Sequence, residues 1–121
     1  MGRDALERAQ IEMWHRRMEL ELLLPMISVF VHTGEMWKGR LTQIPEMADV
    51  NRANLAARFE WLDHAIADRH YIAGDSYTVA DIAAQCAFVM GRAALGISIP
   101  AEHEHLTAWW DRVKSRPTAR A

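Results

Sequence analysis

Four side chains near the start of the chain have the types and the spacing of a small-molecule site. They are Trp14, Arg17, Met18 and Glu21, and steps of three and four residues place them on one face of a helix. An aromatic ring and a thioether suit an apolar ligand, and an arginine beside them could hold a carboxylate or a developing anion. The alternative is that Trp14 and Met18 are ordinary core residues and that Arg17 and Glu21 form a surface ion pair.

Two Glu-x-x-His pairs, Glu12 with His15 and Glu102 with His105, have the spacing of metal ligands. Di-iron helical bundles use one such pair on each of two helices, together with two further carboxylates. The second pair, however, follows Pro100 at the start of a helix, and the other helices offer no clear complementary pair of glutamates. We therefore expect no metal site. No serine–histidine–aspartate triad and no phosphate-binding loop is recognisable either.

The elements that position these residues are predicted to be helices, so that residues 1–121 form a single all-α domain. Apolar residues recur every three or four positions in four stretches, and no stretch alternates as a strand would. The second helix should run from Pro45 to about Arg69, and the last from about Ala101 to Ser115. The predicted buried face of the second helix consists of Val50, Leu55, Phe59, Leu62 and Ile66.

The first helix, which begins at Asp4, carries two apolar stripes. One stripe consists of Leu6, Ala9, Met13, Leu20 and Leu24, and the other consists of Ile11, Trp14, Met18 and Leu22. Two stripes predict that this helix is covered on two sides. Pro25 should kink or break it, because the proline ring removes one hydrogen bond and crowds the preceding turn.

The third helix begins with a capping box. Thr78 and Asp81 stand three residues apart, so that each side chain can accept a hydrogen bond from the backbone N–H of the other. The helix that follows is nearly apolar all round, which predicts a buried, central helix. Cys86 lies within it, and we expect a buried and therefore unreactive thiol.

Composition excludes several classes of function. The chain has 121 residues, half of them hydrophobic, and a net charge of −2 with the two signs interleaved, so no basic face is available for nucleic acid. The apolar run 22–31 is too short to cross a bilayer, and the charged N-terminus does not resemble a signal peptide. The single cysteine excludes an internal disulfide, and a reducing, cytoplasmic location is expected.

The order of these features resembles the C-terminal helical domain of cytosolic glutathione transferases, over nearly the whole chain. The most specific match is the capping-box run at residues 74–82, GDSYTVADI. Residues 4–25 resemble the first, kinked helix of that domain, and residues 58–63 (RFEWLD) resemble its second. Residues 106–113 (LTAWWDRV) and 115–117 (SRP) resemble its closing helix and tail.

The resemblance implies that this chain is one part of a larger protein. Members of the family carry an N-terminal thioredoxin-like domain that binds the cosubstrate glutathione and activates its thiol, and that domain is absent here. In the family, the inner face of the first helix lines the electrophile pocket, which implies substrate binding by Trp14, Arg17, Met18 and Glu21. The resemblance also implies a homodimer through the first two helices. Arg52 could then reach glutathione in the neighbouring subunit, the alternative being a solvated arginine at a helix start.

We therefore expect the electrophile-pocket and dimerisation domain of a detoxifying glutathione transferase. The full enzyme would conjugate glutathione thiolate to apolar electrophiles, and the isolated domain, which holds no catalytic residue, would have little or no activity. The alternative is a stand-alone, non-catalytic interaction module of the same fold. An exposed apolar patch on the first two helices would fit either function. The deciding feature is whether a thioredoxin-like domain precedes Met1 in the native protein.

Overall fold

The computed structural model describes residues 2–117 and shows five α-helices, with no strand in that range. In chain order the helices are α1 (Ala5–Met18), α2 (Leu24–Thr33), α3 (Pro45–Ala65), α4 (Val79–Met90) and α5 (Glu104–Lys114). Two π-helical turns, Glu19–Leu23 and Gly91–Leu95, and one 3-10 turn, Glu35–Trp37, complete the regular structure. The all-α prediction is confirmed. No helix in the described part of the chain is long and apolar enough to cross a membrane.

Pro25 interrupts the regular α-helix, and a π turn separates α1 from α2. The backbone N–H of Leu24 donates to the carbonyl of Glu19, five residues earlier. Such a widened turn relieves the crowding that a proline ring imposes on the carbonyl four residues before it. The helical path therefore continues past Pro25, and α2 packs along α3.

The first helix is covered on one side only. Ile11, Trp14, Met18 and Leu22 are buried as predicted. The other stripe is exposed, and Leu6 and Leu20 show 69% and 61% of their surface to solvent. Residues 2–117 therefore cover only one of the two sides that the stripes predict to be covered. The core lies on one side of α1, and no element among residues 2–117 reaches the other.

Helix α4 packs against α1 and the first π turn through its small residues. Its buried side includes Ala80, Ala83, Ala84 and Ala87, which let the neighbouring backbones approach closely. Gly91 continues this face, because a Cβ there would lie 2.8 Å from the sulfur of Met26.

The opposite side of α4 contradicts the prediction of a helix buried all round. Ile82, Cys86 and Val89, spaced four and three residues apart, are exposed. The described chain supplies neighbours to one face of α4 and none to the other. The Cys86 thiol is therefore not the buried core group that the apolar composition of the helix suggested.

Helix α3 is shorter than predicted and ends at Ala65. The Arg69 guanidinium donates to the Ala65 carbonyl at 2.6 Å, a group that a longer helix would have paired with a backbone N–H. It also donates to the Ile72 carbonyl at 3.0 Å, in the turn that follows. Leu55, Phe59, Leu62 and Ile66 are buried as predicted, whereas Val50 is 58% exposed. Val50 joins Met47 on a part of α3 that the described chain leaves uncovered.

The start of α5 is fixed by a residue of another helix. The predicted start near Ala101 is wrong by about one turn, since α5 begins at Glu104 and its N-cap residue, His103, makes no side-chain cap. The buried carboxylate of Asp63, on α3, instead accepts a hydrogen bond from the Leu106 N–H at 2.8 Å. Asp63 thus satisfies one of the free N–H groups in the first turn of α5 and joins the two helices.

Replacing Asp63 should therefore destabilise the fold as the loss of a helix cap does. Asp63→Ala leaves the Leu106 N–H buried without an acceptor, and we expect a loss of about 1–2 kcal/mol in the free energy of unfolding. Urea denaturation followed by far-UV circular dichroism measures it. The matched control is Asp49→Ala, at an exposed position of the same helix. Equal midpoints for the two variants would contradict the capping role of Asp63.

Candidate functional site

The Asp81 carboxylate joins three separate segments of the chain. Thr78 and Asp81 form the capping box of α4, with the Thr78 N–H 2.9 Å from Asp81 Oδ2. Asp81 Oδ1 accepts two further hydrogen bonds, one from the Ile72 N–H at 2.9 Å and one from the Trp109 indole N–H at 2.8 Å. The side chain is fully buried. The sequence predicted the capping box of Thr78 and Asp81, but it did not predict the hydrogen bonds that Ile72 and α5 donate to Asp81.

Burial raises the pKa of the Asp81 carboxyl above its ordinary value. The loss of hydration outweighs the hydrogen bonds from Ile72, Trp109 and Thr78, each of which favours the charged form and lowers the pKa. The folded state therefore holds a proton on Asp81 more tightly than the unfolded chain does. The contribution of this group to stability is fully present below the unfolded pKa and is lost as the pH rises through the folded pKa.

The predicted substrate-binding residues form part of a cluster of arginine and tryptophan side chains between α1 and α3. The Trp14 and Trp61 ring centres lie 5.8 Å apart. The Arg17 guanidinium lies 4.1 Å from the centre of the Trp61 ring and 5.1 Å from that of Trp14. Glu21 lies 3.3 Å from Arg17 and 3.6 Å from Arg58, so that one carboxylate pairs with arginines of both helices.

Each of the four predicted residues makes contacts that hold the fold together. Trp14 and Met18 belong to the hydrophobic core, and Met18 has no exposed surface at all. Arg17 and Glu21 are partly exposed and are held by each other and by α3. The cluster brings Trp14, Arg17 and Glu21 together with Trp61, which sequence reasoning did not include. Substrate binding by these residues stays a prediction.

Arg52 borders a cavity of about 690 Å³ between α3 and the segment 96–103. Phe59 and Ile97 contribute apolar surface there, while Glu60 and His103 contribute polar groups. Arg52 is exposed and makes no ion pair with any residue of the described range. Its guanidinium is therefore free to bind an anion. That this anion is glutathione stays a prediction.

The Glu-x-x-His pairs are not gathered into one site. His15 lies 2.9 Å from Glu19 and 3.5 Å from Glu12, all on the same helical stretch. Between residues 2 and 117, no group of three or more histidine, cysteine, aspartate or glutamate side chains is arranged to hold a metal ion.

Comparison with known proteins gives a consistent result at the levels of sequence and fold. The family described as "Glutathione S-transferase, C-terminal domain" matches residues 15–117. Glutathione S-transferase 2 of Saccharomyces cerevisiae is 33% identical over 122 residues, and the match covers 98% of this chain and 52% of that protein.

Solved structures agree with this match. The crystal structure of Gtt2 from Saccharomyces cerevisiae superposes with a TM-score of 0.90 at 31% identity, over 98% of this chain and 58% of that chain. A glutathione S-transferase domain-containing protein from Marinobacter aquaeolei gives a TM-score of 0.85 at 30% identity, over 97% of this chain and 58% of that one. The chain thus spans a little over half the length of the relatives it matches.

Removal of the Asp81 carboxylate should be among the most damaging single changes in the chain. Asp81→Ala leaves several buried N–H groups without an acceptor, and we expect a loss of at least about 2 kcal/mol in the free energy of unfolding. Thermal and urea unfolding measure it. Asp75→Ala, in the segment before α4 and exposed, without a side-chain partner among the described residues, is the control and should change little. A loss as small as that of the control would refute the account of this network.

The pH dependence of stability tests the direction of the Asp81 pKa. Asp81→Asn cannot titrate, so the difference in unfolding free energy between the wild type and this variant isolates the carboxyl group. We expect the wild type's advantage to shrink as the pH rises from the ordinary aspartate pKa through the raised one. Urea titrations at a series of pH values give this difference. An advantage that grows with pH across the same interval would mean that the hydrogen bonds outweigh burial.

Proposed function

Because this chain belongs to the glutathione transferase family through its C-terminal domain, we propose that residues 1–121 are one domain, the helical half of a two-domain enzyme. The observation that carries the proposal is the extent of the match. Nearly all of this chain aligns with 52% of Glutathione S-transferase 2 from yeast, and that relative is 33% identical. A second domain of similar size, thioredoxin-like in this family, would complete the protein in cis.

The reaction of the complete enzyme would be attack of the glutathione thiolate on an electrophilic carbon of an apolar compound. The thiolate is the nucleophile, so the missing domain would bind glutathione and lower the pKa of its thiol. The helical domain would supply the apolar part of the electrophile pocket and hold the electrophile within reach of the sulfur. No residue of the helical domain needs to form a bond with the substrate.

Two uncovered apolar surfaces support the presence of further partners. The outer stripe of α1 continues along the helix to Leu24 and Ile27, and the outer face of α4 carries Ile82, Cys86 and Val89. Exposed apolar side chains aligned on a helix face indicate interaction surfaces. We assign these surfaces to the two expected partners, the thioredoxin-like domain in cis and a second subunit of a homodimer.

A reducing, cytoplasmic setting and a role in detoxification fit the same function. The one cysteine is unpaired and exposed, which suits a compartment where thiols stay reduced. The apolar character of the expected pocket suits foreign electrophiles of low polarity. Arg52, exposed and free of ion pairs in the described range, remains available to a glutathione carboxylate of a neighbouring subunit.

Conjugation of glutathione to 1-chloro-2,4-dinitrobenzene tests the proposal. In this reaction a carbon–sulfur bond forms, the carbon–chlorine bond breaks, chloride leaves and the thiol proton passes to solvent. We expect the full-length natural protein to accelerate the reaction, because it would hold both halves of the site. Residues 1–121 alone should not exceed the rate in buffer. Absorbance of the product measures both rates.

Two results would contradict the proposal. Conjugation by residues 1–121 alone, at the rate of the full-length protein, would mean that the thiol is activated within the helical domain. A full-length protein that folds, yet neither binds glutathione nor conjugates it to a panel of apolar electrophiles, would favour the non-catalytic interaction module.

A further inference from the structure

A polar cavity of about 300 Å³ lies between the residues that follow α3 and one face of α5. On α5, its wall consists of His105, Ala108 and Arg112, whose spacing of three and four residues places them on the same helix face. The small side chain of Ala108 leaves space between the two longer ones. The volume lies at the lower end of the range for small-molecule sites, so the cavity suits a small ligand.

Two half-buried arginines of this cavity are held in place by backbone carbonyls. The Arg69 guanidinium donates to the carbonyls of Ala65 and Ile72, and the Arg112 guanidinium donates to the carbonyl of His70. A guanidinium has five N–H groups, so both arginines keep donors that these bonds do not use. Because the two side chains are already fixed, they lose little further freedom when an anion binds.

The side chains of the cavity carry an excess of positive charge. Asp68 is the one acidic side chain among the described lining residues, and its carboxylate lies 3.7 Å from Arg69 Nε. That carboxylate is 89% exposed, so it is free to turn towards solvent. Arg112 makes no ion pair with any residue from 2 to 117. Two arginines and one aspartate therefore leave one positive charge without a partner, even with both lining histidines neutral.

The backbone around the cavity also favours an anion. The last carbonyls of a helix carry partial negative charge and would repel one. At the end of α3, however, the Ala65 carbonyl accepts from the Arg69 guanidinium and the Ile66 carbonyl accepts from the Arg69 backbone N–H at 3.0 Å. On the other side, His105 belongs to the first turn of α5, where the partial charge of the helix is positive.

We propose that this cavity binds the phosphate group of a small, soluble phosphomonoester. The guanidiniums of Arg69 and Arg112 donate to the phosphate oxygens, and the exposed rings of His70 and His105 supply further N–H donors. Donors on two sides of a cavity suit a tetrahedral anion with three free oxygens, whereas a planar carboxylate is satisfied by one arginine. The cavity is larger than a phosphate ion and leaves space for a substituent. This inference goes beyond the conjugation reaction and does not depend on it.

The probe is glycerol 3-phosphate, titrated into the full-length natural protein by isothermal calorimetry. The ionic strength is held constant, because salt screens exposed charges. We expect a Kd on the order of 1 mM or tighter for a ligand of this size. Acetate, a carboxylate with a single charge, should bind at least about tenfold more weakly. Vesicles that contain phosphatidate should not bind the protein, because the lining of the cavity is mainly polar and offers little surface for lipid chains.

Nuclear magnetic resonance places the ligand within the protein. The ring resonances of His70 and His105 are assigned from the variants His70→Gln and His105→Gln. Both resonances should shift as glycerol 3-phosphate is added, and the shifts should saturate with the Kd that calorimetry gives.

Two variants and one control test the assigned contacts. Arg112→Gln should weaken binding at least about tenfold, but it also removes the bond to the His70 carbonyl. Ala108→Glu keeps that bond, because it fills the space between His105 and Arg112 with a carboxylate at an exposed position, and it should also weaken binding at least about tenfold. Circular dichroism confirms that each variant is folded.

The matched control is Ala53→Glu, which adds the same side chain at an exposed alanine of α3. Its position is about 20 Å from the cavity along the helix axis. That distance exceeds the screening length of about 8 Å at physiological ionic strength, so the Kd should not change.

Any of three results would overturn the proposal: glycerol 3-phosphate does not bind, acetate binds as tightly, or Ala108→Glu keeps the wild-type Kd. Binding that leaves the resonances of His70 and His105 unchanged would place the ligand elsewhere and would overturn it as well. Binding to phosphatidate vesicles but not to glycerol 3-phosphate would indicate a membrane surface instead of a small-molecule site. None of these measurements involves glutathione, so failure of this proposal is distinct from failure of the proposed conjugation.

Discussion

The buried carboxylate of Asp81 is the constraint on which the rest of the structure depends. Its two oxygens accept hydrogen bonds from the start of α4, from the turn that precedes it and from Trp109 on α5. These bonds fix where α4 begins, and therefore which of its faces meets α1 and which stays exposed. The cost of burial outweighs these hydrogen bonds and raises the pKa of Asp81. Because the donors come from three segments, the network is complete only when all three are in place.

Local signals in the sequence predicted the elements well. The capping patterns at Asp4 and Thr78, the helical periodicity and the irregularity at Pro25 each have a cause within a few residues, and each can be recognised without the fold. Contacts between distant residues could not be predicted in this way. Leu106 and Asp63 are 43 residues apart, and only the packing of α5 on α3 brings that donor to that carboxylate.

The candidate site shows the same limit. Spacing placed Trp14, Arg17 and Glu21 on one face, which is where they lie, but Trp61 and Arg58 approach that face from α3. Periodicity also identified the apolar stripes of α1, and the residues of α4 were recognised as apolar on nearly every side. Periodicity could not show which apolar faces are buried by this chain itself. An apolar face has the same sequence pattern whether it packs against an element of this chain or against another domain. The two exposed stripes are consistent with a chain that spans about half of its relatives.

The central claim is that this chain is the helical half of a two-domain glutathione transferase, and the most direct test is the intact mass of the native protein. Capture from its source cells with an antibody to this domain, followed by mass spectrometry, gives that mass without assuming an activity. The account predicts a species heavier than 13.8 kDa by about one small domain. A native species of 13.8 kDa would contradict the account and leave a helical domain without a glutathione site.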